Sequence, residues 1–168
     1  MKTLKLLRLG AGERLERLLC RALAGVPAEA ATLMDAECGL DGSRILFALH
    51  IDEYGAEESL HTLLRSLRRS PGALRGSVCG IVVDGDGELY TKAAAQALAL
   101  AVSLAGGLLP GKPLVEGTGS LYNQHIAAKN LGVSLEEAYF TRAAGLVRRV
   151  LMFEPPKFAA PRLLMLHA

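Results

Sequence analysis

The stretch Gly76–Gly87, GSVCGIVVDGDG, decides the fold, together with the run Leu89–Ala105 that follows it. From Ser77 to Val83 the chain carries Val, Cys, Ile, Val and Val, so an extended backbone has no polar side. Strands of that kind are buried on both faces and belong to parallel sheets covered by helices. Asp84-Gly85-Asp86-Gly87 interrupts the apolar run, and its composition predicts a turn. The spacing then becomes helical from Leu89 to Ala105, rich in Ala, and Gly106-Gly107 closes it. Small side chains let a helix approach a sheet closely, so this one is expected to be largely buried. Strand, loop and helix together make one step of an open α/β sheet, and such sheets bind ligands beyond the carboxyl ends of their strands.

Upstream, Arg44–Ile51 (RILFALHI) predicts a second buried strand, and Leu60, Leu63, Leu64 and Leu67 then form one stripe of a helix that Pro71-Gly72 ends. Nearer the N-terminus, Thr3–Leu9 predicts the first strand and Gly10-Ala11-Gly12 a hinge. Leu15, Leu18, Leu19, Ala22 and Leu23 recur at helical spacing, with Glu13, Arg14, Glu16, Arg17 and Arg21 on the watery side. Glu13 and Arg17 are four apart, a helix-supporting pair. Gly25-Val26-Pro27 stops this helix, Ala30–Met34 reads as a weak strand, and Asp41-Gly42 as a turn.

Downstream, Pro113–Glu116 predicts a short strand and Gly117-Thr118-Gly119-Ser120 a loop. Ser120 is placed to cap a helix over Leu121–Asn130, with Gly132 just past its end. Ser134-Leu135-Glu136-Glu137 has the form of a capping box and opens a helix to about Phe153. Leu135, Ala138, Tyr139, Leu146, Val147, Val150 and Leu151 form its apolar face. Pro155, Pro156 and Pro161 then mark a linker, and Arg162–His167 reads as a further strand. That strand either joins the edge of the sheet or opens a following domain. The division expected is a domain over 1–154 and a Pro-rich segment over 155–168.

Alternation of strands and helices implies a three-layer, doubly wound sheet of about five mostly parallel strands, with helices on both faces. A length of 168 residues suits one domain, and 51% apolar with 21% charged residues suits a compact one. The 19 Lys and Arg against 17 Asp and Glu leave a net charge of 19 − 17 = +2, which argues against nucleic acid and anionic membrane surfaces as partners. Trp is absent and aromatics are 5%, so base-stacking platforms are not expected. No apolar run reaches the ~18 residues of a membrane span, and the N-terminus lacks the apolar core of a signal peptide. Cys20, Cys38 and Cys79 show no metal-type spacing and read as reduced thiols of a cytoplasmic protein. Asp84 and Asp86 do not continue into a calcium loop, because the twelfth loop position lacks its Glu.

Leu74–Val115, LRGSVCGIVVDGDGELYTKAAAQALALAVSLAGGLLPGKPLV, resembles the second half of flavodoxin-like NADPH-dependent FMN reductases. Asp41–Leu67, DGSRILFALHIDEYGAEESLHTLLRSL, resembles that family's preceding region, with Asp52-Glu53-Tyr54-Gly55 standing where the family has its Pro-x-Tyr loop. The resemblance implies strand order 2-1-3-4-5 and an FMN site formed by the loops after Leu9, Ile51 and Val83. It places Gly10, Ala11, Gly12, Arg14, Asp52, Tyr54, Asp84, Gly85, Asp86 and Gly87 at the cofactor. Two departures stand out. The first loop lacks the family's Ser, Thr and Asn and carries Glu13, which repels a phosphate at a helix N-terminus. The second loop lacks its Pro and adds Asp52 and Glu53 beside the proposed flavin edge. The expected function is therefore a flavodoxin-like module of an NAD(P)H-dependent FMN reductase-type protein. FMN binding is weak or lost, and the role lies in assembly, as a homodimer or beside a following flavodoxin-like domain. The alternative is a functional FMN-binding redox domain.

Each candidate also has a purely structural reading. Gly10-Ala11-Gly12 is either a phosphate loop or a plain strand-to-helix turn. Tyr54 either stacks on a flavin or caps the core. Asp84–Gly87 either lines the crevice or is an exposed turn. His50 is either a proton carrier in the crevice or a hydrogen-bonded core histidine. Thr118, Ser120, Tyr122, Asn123 and His125 either hold a ligand's polar edge, as in a small-molecule sensor, or fix a loop. Gly119-Ser120 lacks the frame of a nucleophile elbow.

Overall fold

The computed structural model describes residues 3–54, 57–86, 90–117 and 121–156, with the side chains of 37–38 and 121–124 outside that description. Strands β1 (Leu4–Leu9), β2 (Ala28–Ala31), β3 (Arg44–Ile51), β4 (Val78–Gly85) and β5 (Leu114–Glu116) form one sheet in the order β2-β1-β3-β4-β5. All four pairings are parallel. Helices α1 (Glu13–Ala22), α2 (Leu33–Cys38), α3 (Glu58–Arg69), α4 (Thr91–Leu104), α5 (Leu121–Leu131) and α6 (Leu135–Met152) connect or follow the strands. No helix among the described residues is long and apolar enough to cross a membrane.

The period of two along each strand separates two cores. Ile45, Phe47, Leu49 and Ile51 of β3 and Cys79, Ile81 and Val83 of β4 pack with Leu60, Leu63 and Leu67 of α3 and Ala95, Leu98 and Val102 of α4. Leu46 and Ala48 of β3 and Val78 and Val82 of β4 pack instead with Leu15, Leu18 and Leu19 of α1 and Leu146, Val147 and Val150 of α6. Each fully buried Leu or Ile contributes about 1.5–3 kcal/mol relative to exposure. A Cβ on Gly80 would stand 3.0 Å from Val150 and 3.1 Å from Leu146, so this glycine lets α6 lie directly on the backbone of β4. The same alternation puts His50 and Asp84 on the α1/α6 side. Because α1 covers one face and α3 the other, the connections leaving β1 and β3 diverge and open a crevice at their carboxyl ends.

Four expectations need correction. The second strand is Ala28–Ala31, not Ala30–Met34, because Thr32 and Asp35 form a reciprocal capping box that starts α2. The Asp35 carboxylate accepts from the Thr32 N–H at 2.7 Å, and the Thr32 hydroxyl accepts from the Asp35 N–H at 3.2 Å. The predicted turn at Asp84-Gly85 is strand, since β3 runs far enough to pair His50 with Asp84 and Ile51 with Gly85; the chain bends at Asp86, whose N–H donates to the Ile51 carbonyl. Helix α4 is only half buried: Lys92, Ala93, Gln96, Leu100, Ser103 and Leu104 face outward. The capping box at Ser134 is one-sided. The Ser134 hydroxyl accepts from the Glu137 N–H, but the Glu137 carboxylate reaches across to Arg21 at 2.8 and 2.9 Å. With Arg17 on Glu136, that pair ties α1 to α6. The expected strand Arg162–His167 lies outside the described residues.

Candidate functional site

Leaving β1, the chain turns at Gly10, where φ is +71°, and reaches α1 through Ala11 and Gly12 alone. Both glycines are dictated by their neighbour on β3. A Cβ on Gly10 would stand 2.5 Å from the His50 carbonyl oxygen, and one on Gly12 would overlap the His50 imidazole. The turn therefore rests on His50.

His50 is the penultimate residue of β3, and only 12% of its side chain is exposed. Its Nδ1 lies 3.5 Å from Asp84 Oδ2 and its Nε2 3.3 Å from Asp86 Oδ2. Nδ1 is buried without a hydrogen bond. The Asp84 side chain is 2% exposed, and a buried carboxylate is costly unless a cation and hydrogen bonds meet it. Arg14 supplies both. Its Nε donates to Asp84 Oδ1 at 2.7 Å, its Nη2 approaches the same oxygen at 2.5 Å, and Nη2 also donates to the Gly85 carbonyl at 3.1 Å. Gly117 opposes the other side of Asp84, since a Cβ there would overlap Oδ1. Tyr139 closes the floor and donates to the Val83 carbonyl at 3.3 Å. Burial pushes its phenol well above the usual tyrosine range, the Asp84 charge adds to this, and Arg14 opposes it.

A cavity of about 540 Å³ opens above the cluster. The Ala11–Arg14 turn, Arg17, His50 and the Asp84–Asp86 end of β4 wall it. Of the residues singled out by sequence, Ala11, Gly12, Arg14, Asp84, Gly85 and Asp86 meet at this cavity, with Gly10 directly beneath the turn. Arg14, which helical spacing assigns to water, faces Asp84 instead. Asp52 and Tyr54 sit on the turn after β3 and do not line the cavity; the Tyr54 N–H donates to Asp52 Oδ1 at 3.0 Å and the residue is 77% exposed. Gly87, Thr118 and Ser120 lie outside the described residues, as do the side chains of Tyr122 and Asn123, while His125 is exposed. His50 joins the cluster by register, a signal the sequence carries only once β3 and β4 are aligned. The ring thus stands between the exposed Asp86, which lines the cavity, and the buried Asp84.

The donor set does not fit the phosphate of FMN. The turn offers backbone N–H groups and no hydroxyl, and Glu13 opens α1 with a carboxylate. Arg14 is committed to Asp84 and Gly85, and Arg17 to Glu136 at 3.1 Å and Glu13 at 3.8 Å. The exposed Asp86 adds a further negative charge to the cavity lining.

No protein-family model matches the chain, and no curated protein matches its sequence. Solved structures do. A short-chain flavodoxin associated with a non-canonical PDU bacterial microcompartment is 17% identical, with a TM-score of 0.54 over 89% of this chain and 99% of that one. Oxidised flavodoxin 2 from Bacillus cereus is 16% identical, with a TM-score of 0.54 over 88% and 99%. A mutant flavodoxin of Fusobacterium nucleatum, solved with flavin mononucleotide bound, is 14% identical, with a TM-score of 0.51 over 89% and 95%. At these identities the likeness establishes the fold: a flavodoxin-like α/β sheet of five parallel strands in the order 2-1-3-4-5.

Proposed function

We propose that the chain is a flavodoxin-like module of an NAD(P)H-dependent FMN reductase-type protein that binds FMN weakly or not at all and serves in assembly. One observation carries the first half. The turn where a phosphate would lie is packed onto His50, opens onto Glu13, and has both neighbouring arginines committed to carboxylates. The assembly half rests on Leu100 and Leu104, which are 57% and 60% exposed on the outer face of α4. A second copy of the chain meeting that face would cover them.

FMN calorimetry tests the first half. The expected Kd is weaker than about 100 µM, or under about 5.5 kcal/mol of binding free energy. Glu13→Ser removes one like charge from the helix terminus and should tighten FMN binding about two- to five-fold. Micromolar or tighter binding by the native chain overturns the proposal and leaves the alternative, a functional FMN-binding redox domain. That reading is favoured by Tyr54, whose exposed ring is free to stack on a flavin. Sedimentation tests the assembly half: a dimer at micromolar concentration that Leu100→Glu with Leu104→Glu dissociates supports it, and a clean monomer removes it.

A further inference from the structure

A second and larger cavity, about 710 Å³, lies away from the first, between the edge strand β5, Ala127 of α5 and α6. We propose that it binds a small organic anion, a carboxylate or phosphate carried on an apolar body. The volume is in the range of small-molecule pockets. Pro113, Leu114 and Val115 form an apolar wall, and Gly145 leaves a gap without a side chain between Arg142 and Arg149 on the facing stretch of α6. Three cations stand around it, Lys112, Arg142 and Arg149, and no carboxylate is among the described residues that line it. In a chain whose net charge is only +2, that is a concentration of one sign.

The cations are available to an anion. Arg142 and the Lys112 ammonium have no hydrogen-bond or ion-pair partner among the described residues. Arg149 spends Nη2 on the Lys112 carbonyl at 2.9 Å, but its Nε is buried and meets no acceptor. Lys112 is the one non-glycine residue with positive φ among the described residues, at +42°, and the Arg149 bond to its carbonyl braces that conformation. Strained backbone held by its surroundings concentrates at ligand clamps. Arg142 and Arg149 are seven residues apart on α6, about 10 Å along the axis, so the charges bracket the apolar wall.

Chemical-shift mapping of the whole chain tests this with three probes: octanoate, 1-octanol and inorganic phosphate. Octanoate is expected to shift the amides of 112–115 and 141–149 and to bind at least about five-fold more tightly than octanol. Lys112→Gln with Arg142→Gln should weaken octanoate about ten-fold, one 1.4 kcal/mol step, and leave octanol unchanged. Raising salt to 0.5 M should weaken octanoate on the native chain as well, which keeps the proposal testable if the double variant fails to fold. Shifts gathered at Ala11–Arg14, affinity indifferent to both the substitutions and salt, or phosphate binding as tightly as octanoate would each overturn it.

Discussion

Replacing Arg14 by Met keeps most of the aliphatic stem and removes the guanidinium that meets Asp84. The Asp84 side chain is 2% exposed and Arg14 is 35% exposed, so the carboxylate stays buried when its partner leaves. The nearest remaining group able to carry a positive charge is His50, whose Nδ1 is 3.5 Å away and makes no hydrogen bond. Breaking one half of a buried pair costs about 3–5 kcal/mol. The partial exposure of Arg14 places the loss near the lower end, about 3 kcal/mol. In a chain of this length that lowers Tm by about 6–12 °C. Urea unfolding with an unchanged m-value measures it. Adding Asp84→Asn to Arg14→Met removes the stranded charge, so the double variant should be more stable than Arg14→Met alone. A loss below about 1 kcal/mol, or a double variant no better than the single, would mean that the pair behaves like an exposed one, and the reasoning fails.

Gly12→Ala drives a methyl group into the His50 ring and should cost about 1–3 kcal/mol in urea, with the His50 ring resonances displaced; parental stability would show that the turn does not rest on the ring. Ser134→Ala removes the acceptor at the start of α6 and should cost about 1 kcal/mol, while leaving the Arg21–Glu137 pair intact. The chain has four tyrosines, and Tyr139 should stay neutral when the others ionise in a 295 nm titration. Its folded pKa lies above the unfolded one. The stability it contributes is therefore complete below about pH 10 and falls as pH rises beyond that, so ionisation of all four before unfolding would contradict its burial.

Strands buried on both faces announce themselves, because neither parity can be polar; Ser77–Val83 and Arg44–Ile51 were legible for that reason. Their relative register was not. His50 meets Asp84 only because β3 and β4 pair residue for residue, and nothing near either residue encodes an offset of 34 positions. Arg14 shows the same limit. Its helical position resembles that of Arg17, yet Arg14 reaches the buried end of β4 while Arg17 reaches Glu136 on α6. Helix α2 was hidden differently. Thr32 and Asp35 carry its cap in plain view, but six residues give too little periodicity to outweigh the extended reading of the Ala-rich run before them.

A glycine pair at the end of a first strand supports two structures, and magnitudes decide between them. As an anion loop, the turn would rely on backbone N–H groups and the dipole of a ten-residue helix, worth about 0.3–1 kcal/mol for one negative charge. Against that stand Glu13 at the first helical position and Asp86 at the end of β4, both lining the same cavity. The Glu13 side chain is 95% exposed, so its repulsion takes the value for water, about 1 kcal/mol for a like charge about 4 Å away. Neither nearby arginine is free to offset it without giving up a carboxylate, and for Arg14 that carboxylate is buried. The same glycines have a sufficient cause in packing: His50 fills the space beside them that side chains would need. Relief of repulsion alone therefore cannot restore a phosphate site. Recovery needs a hydroxyl on the turn and an arginine released from Asp84, which the buried pair resists.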